Sequence, residues 1–206
     1  MERVDFMKNT KEIILFYEGK NDFNLEDVAK ELLSRYDCLG DATIVPRNEE
    51  NIFLLVFNKC SELQIEVNDK NVLIVMKHSY FSELHSIVFD VVDTFEMFDV
   101  KFSRIGYISS NFESPSRIEE IKEKYLKTDE FKDVLEINLN WYKKLDFNST
   151  YLNCWERIIT DSANFPDLLL QYDINTNVKD KVDIDMKFIK EFFRVADEYI
   201  EKRVNF

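Results

Sequence analysis

Apolar and polar residues fall along this chain in short runs, stripes and alternations that predict most of its elements. Glu12–Tyr17 (EIILFY) is an apolar run of strand length that stops before Gly19. Asn24 follows as an N-cap, with Asp27 in the first turn. Leu25, Val28, Leu32 and Leu33 then form a helical stripe that ends near Gly40. Four strand-length segments come next: Ala42–Val45, Ile52–Phe57, Leu63–Val67 and Val72–Met76. The turn-forming residues Asn68–Asn71 join the last two. Ser79 is the expected cap of a longer helix, in which Phe81, Leu84, Val88, Val91, Phe95 and Phe98 recur at spacings of three and four.

The second half repeats this order. Val100–Phe112 reads as one extended run, and Ser116 with Glu119 has capping-box spacing after Pro115. Glu120 and Lys124, like Glu123 and Lys127, stand four apart on the wet side of that helix. Leu135, Ile137, Leu139 and Trp141 alternate with polar neighbours, as a half-buried strand requires. Tyr151–Thr160 and Leu168–Ile174 are two further strands, and Val182–Ile184 is a short candidate fourth. A last helix from about Asp185 carries Phe188, Ile189, Phe192, Ala196, Tyr199 and Ile200 on one side.

The expected fold class is therefore α+β, with two tandem units, residues 1–99 and 100–206, sharing one curved antiparallel sheet with helices packed on one side. Each unit runs strand, helix, three or four strands, helix, an internal duplication of architecture without convincing residue alignment. This order resembles the TATA-binding-protein-like fold, and the resemblance implies a fold rather than a function. A second resemblance is local. Phe102–Ile108 (FSRIGYI) and the tail Leu170–Asn175 (LQYDIN), followed by an amphipathic helix, are similar to a sporadically distributed, functionally uncharacterised bacterial family. Members usually carry a second Arg shortly after the Gly, where this chain has Tyr107, Ile108 and Ser109.

Composition narrows the chemistry. The 206 residues include only 3 Gly and 3 Pro, and Gly19, Gly40 and Gly106 lie too far apart for a phosphate-cradling loop. Cys38, Cys60 and Cys154 form no CxxC pair and read as reduced, buried thiols. His78 and His85 with Glu83 make a poor zinc set, because a helix starting at Ser79 would leave His78 outside it. Asp173-Ile-Asn175-Thr-Asn177 lacks the Gly and the bidentate Glu of a calcium loop. Asp183 and Asp185 are better read as a solvated carboxylate and a helix cap than as a magnesium pair. No metal site, cofactor or catalytic residue is expected. The longest apolar stretch, Ile52–Phe57, is far short of the roughly 20 residues that span a bilayer. With no signal-peptide pattern at its start either, the chain is expected to be cytoplasmic, without a membrane partner.

Charge shapes the functional reading. The net charge is -13, and residues 1–99 hold 20 Asp and Glu against 10 Lys and Arg. Such a surface repels phosphate backbones, so nucleic acid is the less favoured partner. It suits steering toward a basic protein, as inhibitors and immunity proteins do, or mimicry of nucleic acid. The expected function is that of a non-enzymatic acidic protein acting on a protein partner. Arg104, Trp141, Tyr142, Tyr151, Trp155 and Arg157 are its candidate binding residues, the rings as anchors. Nucleic-acid binding on the sheet face is one alternative. The other is a metal-dependent enzyme using Asp173, Asp183 and Asp185.

Overall fold

The computed structural model describes residues 9–18, 23–36, 39, 42–46, 53–57, 62–68, 70–113, 117–126, 136–161, 165–177 and 183–204. The first half runs β1 (Thr10–Tyr17), α1 (Leu25–Arg35), β2 (Ala42–Pro46), β3 (Phe53–Phe57), β4 (Leu63–Val67), β5 (Asn71–Lys77) and α2 (Leu84–Glu96). The second runs β6 (Phe102–Glu113), α3 (Ile118–Ile121), β7 (Asn138–Phe147), β8 (Thr150–Asp161), β9 (Phe165–Thr176) and α4 (Met186–Val204). Nine strands form one curved, unclosed sheet in the order β2-β3-β4-β5-β1-β6-β9-β8-β7. Every neighbouring pair is antiparallel. The order reads alike outward from the β1–β6 boundary, where Ile13 pairs with Tyr107.

Strand period decides the two faces. Ile13 and Leu15 of β1, Val72, Ile74 and Met76 of β5, Ile105 and Tyr107 of β6, and Tyr172 and Ile174 of β9 point to one side and are buried. There they meet Val28 and Leu32 of α1, Val88, Val91 and Phe95 of α2, and Ile189, Phe192 and Phe193 of α4 in one apolar cluster. The helices thus cover one face of the sheet. At one end Tyr17 and Phe95, 5.7 Å apart, each pack on Phe23 and Phe102 at 5.3–5.5 Å, while Phe147 packs on Phe188 at 5.2 Å at the other.

Local chemistry sets the element ends. Asn24 caps α1, its Oδ1 accepting from the Glu26 amide at 2.9 Å. Arg35, in the last turn of α1, reaches Asp93 of α2 at 2.7 Å and Glu31 at 3.1 Å. Asn68 closes the β4–β5 turn, its Oδ1 accepting from the Lys70 and Asn71 amides. After α2, Asp99 has a φ of 59° while the Val100 and Asp99 amides donate to the Phe95 and Glu96 carbonyls, a Schellman ending. Asn148 and Ser149, with φ of 41° and 66°, make the two-residue turn between β7 and β8.

Some expectations change. Ser79 does not cap α2: it lies within a 3-10 segment, His78–Glu83, and its hydroxyl donates to Glu62. α2 therefore starts at Leu84, five residues later, and Phe81 lies outside it. Among the described residues 183–185 there is no strand; Ile184 is core and Asp185 leads into α4. α3 runs into a π-helical turn, Lys122–Leu126, where Lys122 pairs with Glu119 at 2.8 Å. Gly40, Ser116, Lys127, Leu135 and Val182, on which other expectations rested, lie outside the described residues.

Candidate functional site

The sheet face turned away from the helices holds five of the six candidate binding residues. Register brings them together. Tyr142 of β7 stands opposite Trp155 of β8, which stands opposite Asp173 of β9. The Tyr142 and Trp155 rings lie 5.1 Å apart, and each residue is 41% exposed, more than any other Phe, Tyr or Trp whose side chain is described. Hydrogen bonds tie Tyr142 to the sheet. The Tyr142 hydroxyl donates to Asn153 Oδ1 at 2.7 Å, Asn153 donates to Asn175 at 3.3 Å, and Asn175 donates to Asp173 at 3.0 Å. In the adjacent row Arg157 donates to Gln171 at 3.4 Å, and Gln171 donates to Ser110 at 3.1 Å.

The remaining candidates lie farther along the same face. The Tyr151 hydroxyl accepts from Asn177 at 3.0 Å while the Lys144 ammonium sits 3.9 Å over its ring. Arg104, on β6, stacks its guanidinium 4.4 Å over Phe16 of β1, and its buried Nε has no hydrogen-bond partner among the described residues. Two residues beyond Arg104 on β6, Gly106 is buried between Ile14 and Asn175. A methyl group there would touch Asn175 at 3.7 Å and Ile14 at 3.9 Å without clashing. Glu12 stands in the row of the aromatic pair, opposite Val75 and Ile108, and burial raises its carboxyl pKa above the ordinary value.

Trp141 does not belong to this face. As the neighbour of Tyr142 on a strand it points to the helix side, where it packs on the core and on Tyr125 at 5.3 Å. Its indole Nε1 donates to Glu156 Oε2 at 2.8 Å. Glu156 is the centre the sequence reading missed, a carboxylate only 1% exposed on the helix side of β8. The Tyr199 hydroxyl of α4 donates to the same oxygen at 2.8 Å, with Arg203 at 3.6 Å and Lys143 at 3.9 Å. Its other oxygen, Oε1, has no partner among the described residues. Burial first, and then the Glu156 charge, push the Cys154 thiol up to about 12 and the Tyr172 phenol well above its usual range.

Of the carboxylates of the metal-enzyme alternative, Asp183 and Asp185 line one cleft at the start of α4 and Asp173 does not belong to it. Asp173 sits on the open sheet face, while Asp185 Oδ1 accepts from the Phe188 amide at 2.7 Å as the cap of α4. His78 packs on Phe81, and His85 stacks on Phe193 at 4.9 Å with Asp197 3.8 Å away. Among the described residues no three His, Cys, Asp or Glu side chains converge as metal ligands, and no helix is long and apolar enough to cross a membrane. Cys38 and Cys60 lie outside the described residues; Cys154 is buried and free.

Fold and site together define a class: an α+β protein with one antiparallel sheet, helices on one side and an aromatic, amide-lined face on the other. No protein-family model and no curated protein matches the chain.

Proposed function

We propose that this chain is a non-enzymatic binding protein that docks a basic protein partner on the open face of its sheet. The observation that carries this reading is the Tyr142–Trp155 pair, two exposed rings in contact, with the Tyr142 hydroxyl tied to the Asn153–Asn175–Asp173 hydrogen bonds. Exposed rings with little freedom to lose are what binding hot spots are made of. Where its side chains are described, that face carries Glu12, Glu66, Asp146 and Asp173 against Lys77, Lys144, Arg104 and Arg157, four acidic and four basic. A phosphate backbone needs an excess of cations, so this balance favours a protein occupant over nucleic acid. The net charge of -13 attracts a basic partner at long range and leaves contact to the rings.

The strand order, alike on both sides of the β1–β6 boundary, supports the likeness to the TATA-binding-protein-like fold and a reading as two units on one sheet. The reading concerns architecture; the site chemistry, not the likeness, argues for the partner. The test is capture from lysate by tagged wild-type protein and by a Tyr142→Ala/Trp155→Ala variant, with and without nuclease, read by mass spectrometry. A stoichiometric protein held by the wild type, lost by the variant and indifferent to nuclease is the expected result. Each ring is 41% exposed, so the variant should still melt within several degrees of the wild type. Equal capture by the variant, or nuclease-sensitive capture of nucleic acid, refutes the proposal.

A further inference from the structure

On the helix side, a cleft of about 310 Å³ opens where the two halves meet, between α4 and the 3-10 segment before α2. Both halves build it: Lys11 and Phe81 come from the first, Tyr107, Ser109, Asn111 and Asp197 from the second. Clefts between elements with a few convergent polar groups are where small ligands bind. This one lies across the sheet from the aromatic face and is independent of what docks there.

Charges of both signs line it side by side. The Lys11 ammonium, on a side chain 19% exposed, lies 5.0 Å from the Phe81 ring and 5.6 Å from the Tyr107 ring. It pairs with Asp197 Oδ1 at 3.7 Å, and it makes no hydrogen bond among the described residues. An ammonium has three donors to place, so this one is held by charge and ring faces but left short of acceptors. On the α4 wall Asp197 and Glu201 stand one turn apart on the same side of the helix. Asp197 is fixed there by the buried Tyr107 hydroxyl, which donates to it at 3.1 Å. On the floor the Asn111 amide donates to the buried Ser109 hydroxyl at 3.2 Å, leaving the Asn111 carbonyl oxygen and its second N–H for a ligand. Phe81 and Ile200 supply apolar lining.

We propose that this cleft binds a free α-amino acid with an apolar side chain, its carboxylate on Lys11 and Asn111 and its ammonium on Asp197 and Glu201. A simple anion at Lys11 meets the Asp197 and Glu201 carboxylates beside it, and a simple amine at those carboxylates meets the Lys11 charge. Only a ligand carrying both groups relieves both ends. The apolar side chain follows from Phe81 and Ile200.

The test is thermal melting and titration calorimetry of the full chain with each of the common amino acids. Acetate, phosphate, an aliphatic amine and 4-methylpentanoate serve as probes carrying charge of one sign only. A bound amino acid at about ten times its Kd should raise the Tm by roughly 3–6 °C. Leucine, methionine or phenylalanine should give that shift and 4-methylpentanoate should not. Lys11→Met and the exposed Glu201→Gln should each weaken binding about tenfold or more. The Glu201 variant tests the cleft without disturbing the core, and Trp155→Ala should bind the amino acid unchanged. No shift and no heat with any amino acid overturns the proposal. So does equal binding of 4-methylpentanoate or phosphate, or wild-type affinity in both cleft variants.

Discussion

Replacing Glu156 by alanine takes away a carboxylate on which four side chains from two elements converge. Trp141 and Lys143 come from β7, Tyr199 and Arg203 from α4, so the substitution unties the last helix from the far strands of the sheet. A hydrogen bond to a charged group contributes about 1.5–3 kcal/mol, and Oε2 accepts two, at 2.8 Å each. Breaking a fully buried ion pair costs about 3–5 kcal/mol. Here that figure is an upper bound, because the Lys143 and Arg203 side chains are 38% and 23% exposed and can regain water. Partnerless Oε1 also spends desolvation energy in the native protein, which the substitution returns. The expected loss is about 3 kcal/mol, a fall of roughly 6–12 °C in Tm for a chain of this size.

Urea unfolding followed by tryptophan fluorescence measures this loss directly, since Trp141 reports on the site while Trp155 reports on the opposite face. Glu156→Gln keeps an acceptor and loses the charge, and should cost about 1–2 kcal/mol. A double-mutant cycle of Glu156→Gln with Trp141→Phe should give a coupling of about 1 kcal/mol. If Glu156→Ala stays within about 0.5 kcal/mol of wild type, or the cycle is additive, the network does not hold α4 to the sheet and the reasoning fails.

Two other consequences follow from the buried titratable groups. Burial is the largest cause raising the phenol pKa of Tyr36, Tyr107, Tyr125, Tyr172 and Tyr199, so the folded chain keeps protons that the unfolded chain releases above pH about 10. Stability should hold below that pH and fall as pH rises through it; a Tm unchanged from pH about 8 to about 11 refutes this. Cys154, with its thiol pushed up to about 12, should resist a thiol reagent at pH about 8 in a Cys38→Ser/Cys60→Ser background and react fully once unfolded. Rapid reaction in the folded state contradicts the burial seen for it.

Strand and helix periods were readable because the segments are strongly patterned and the helices amphipathic. Leu63–Val67 alternates, and α4 repeats Phe188, Phe192 and Tyr199 along its inner side. The start of α2 was misread for a physical reason. Ser79 has cap chemistry, but its hydroxyl is engaged by Glu62 from a distant position, and the helical stripe begins with a 3-10 turn that keeps part of the spacing. The full length of β7 was also missed, although Lys143, Leu145 and Phe147 continue the alternation and Asn148-Ser149 is turn chemistry.

The site divides differently, and the reason lies in the period of a strand. Alternation says that Trp141 and Tyr142 face opposite ways, but two adjacent aromatics satisfy it in either register. Only the pairing of Trp141 with Glu156 and of Tyr142 with Trp155 decides that one is half-buried against the helices and the other exposed. Glu156 stands between Trp155 and Arg157, both open-face residues, and a lone carboxylate there reads as solvent-facing. Its burial depends on Tyr199 and Arg203 arriving from 43 and 47 positions later, contacts that no local spacing encodes. The open face needs only its own strands to form, whereas the Glu156 centre needs α4 in place. Loss of α4 packing should therefore disturb Trp141 before it disturbs the Tyr142–Trp155 pair, because the Tyr142 hydroxyl is tied to Asn153, Asn175 and Asp173 within the sheet itself.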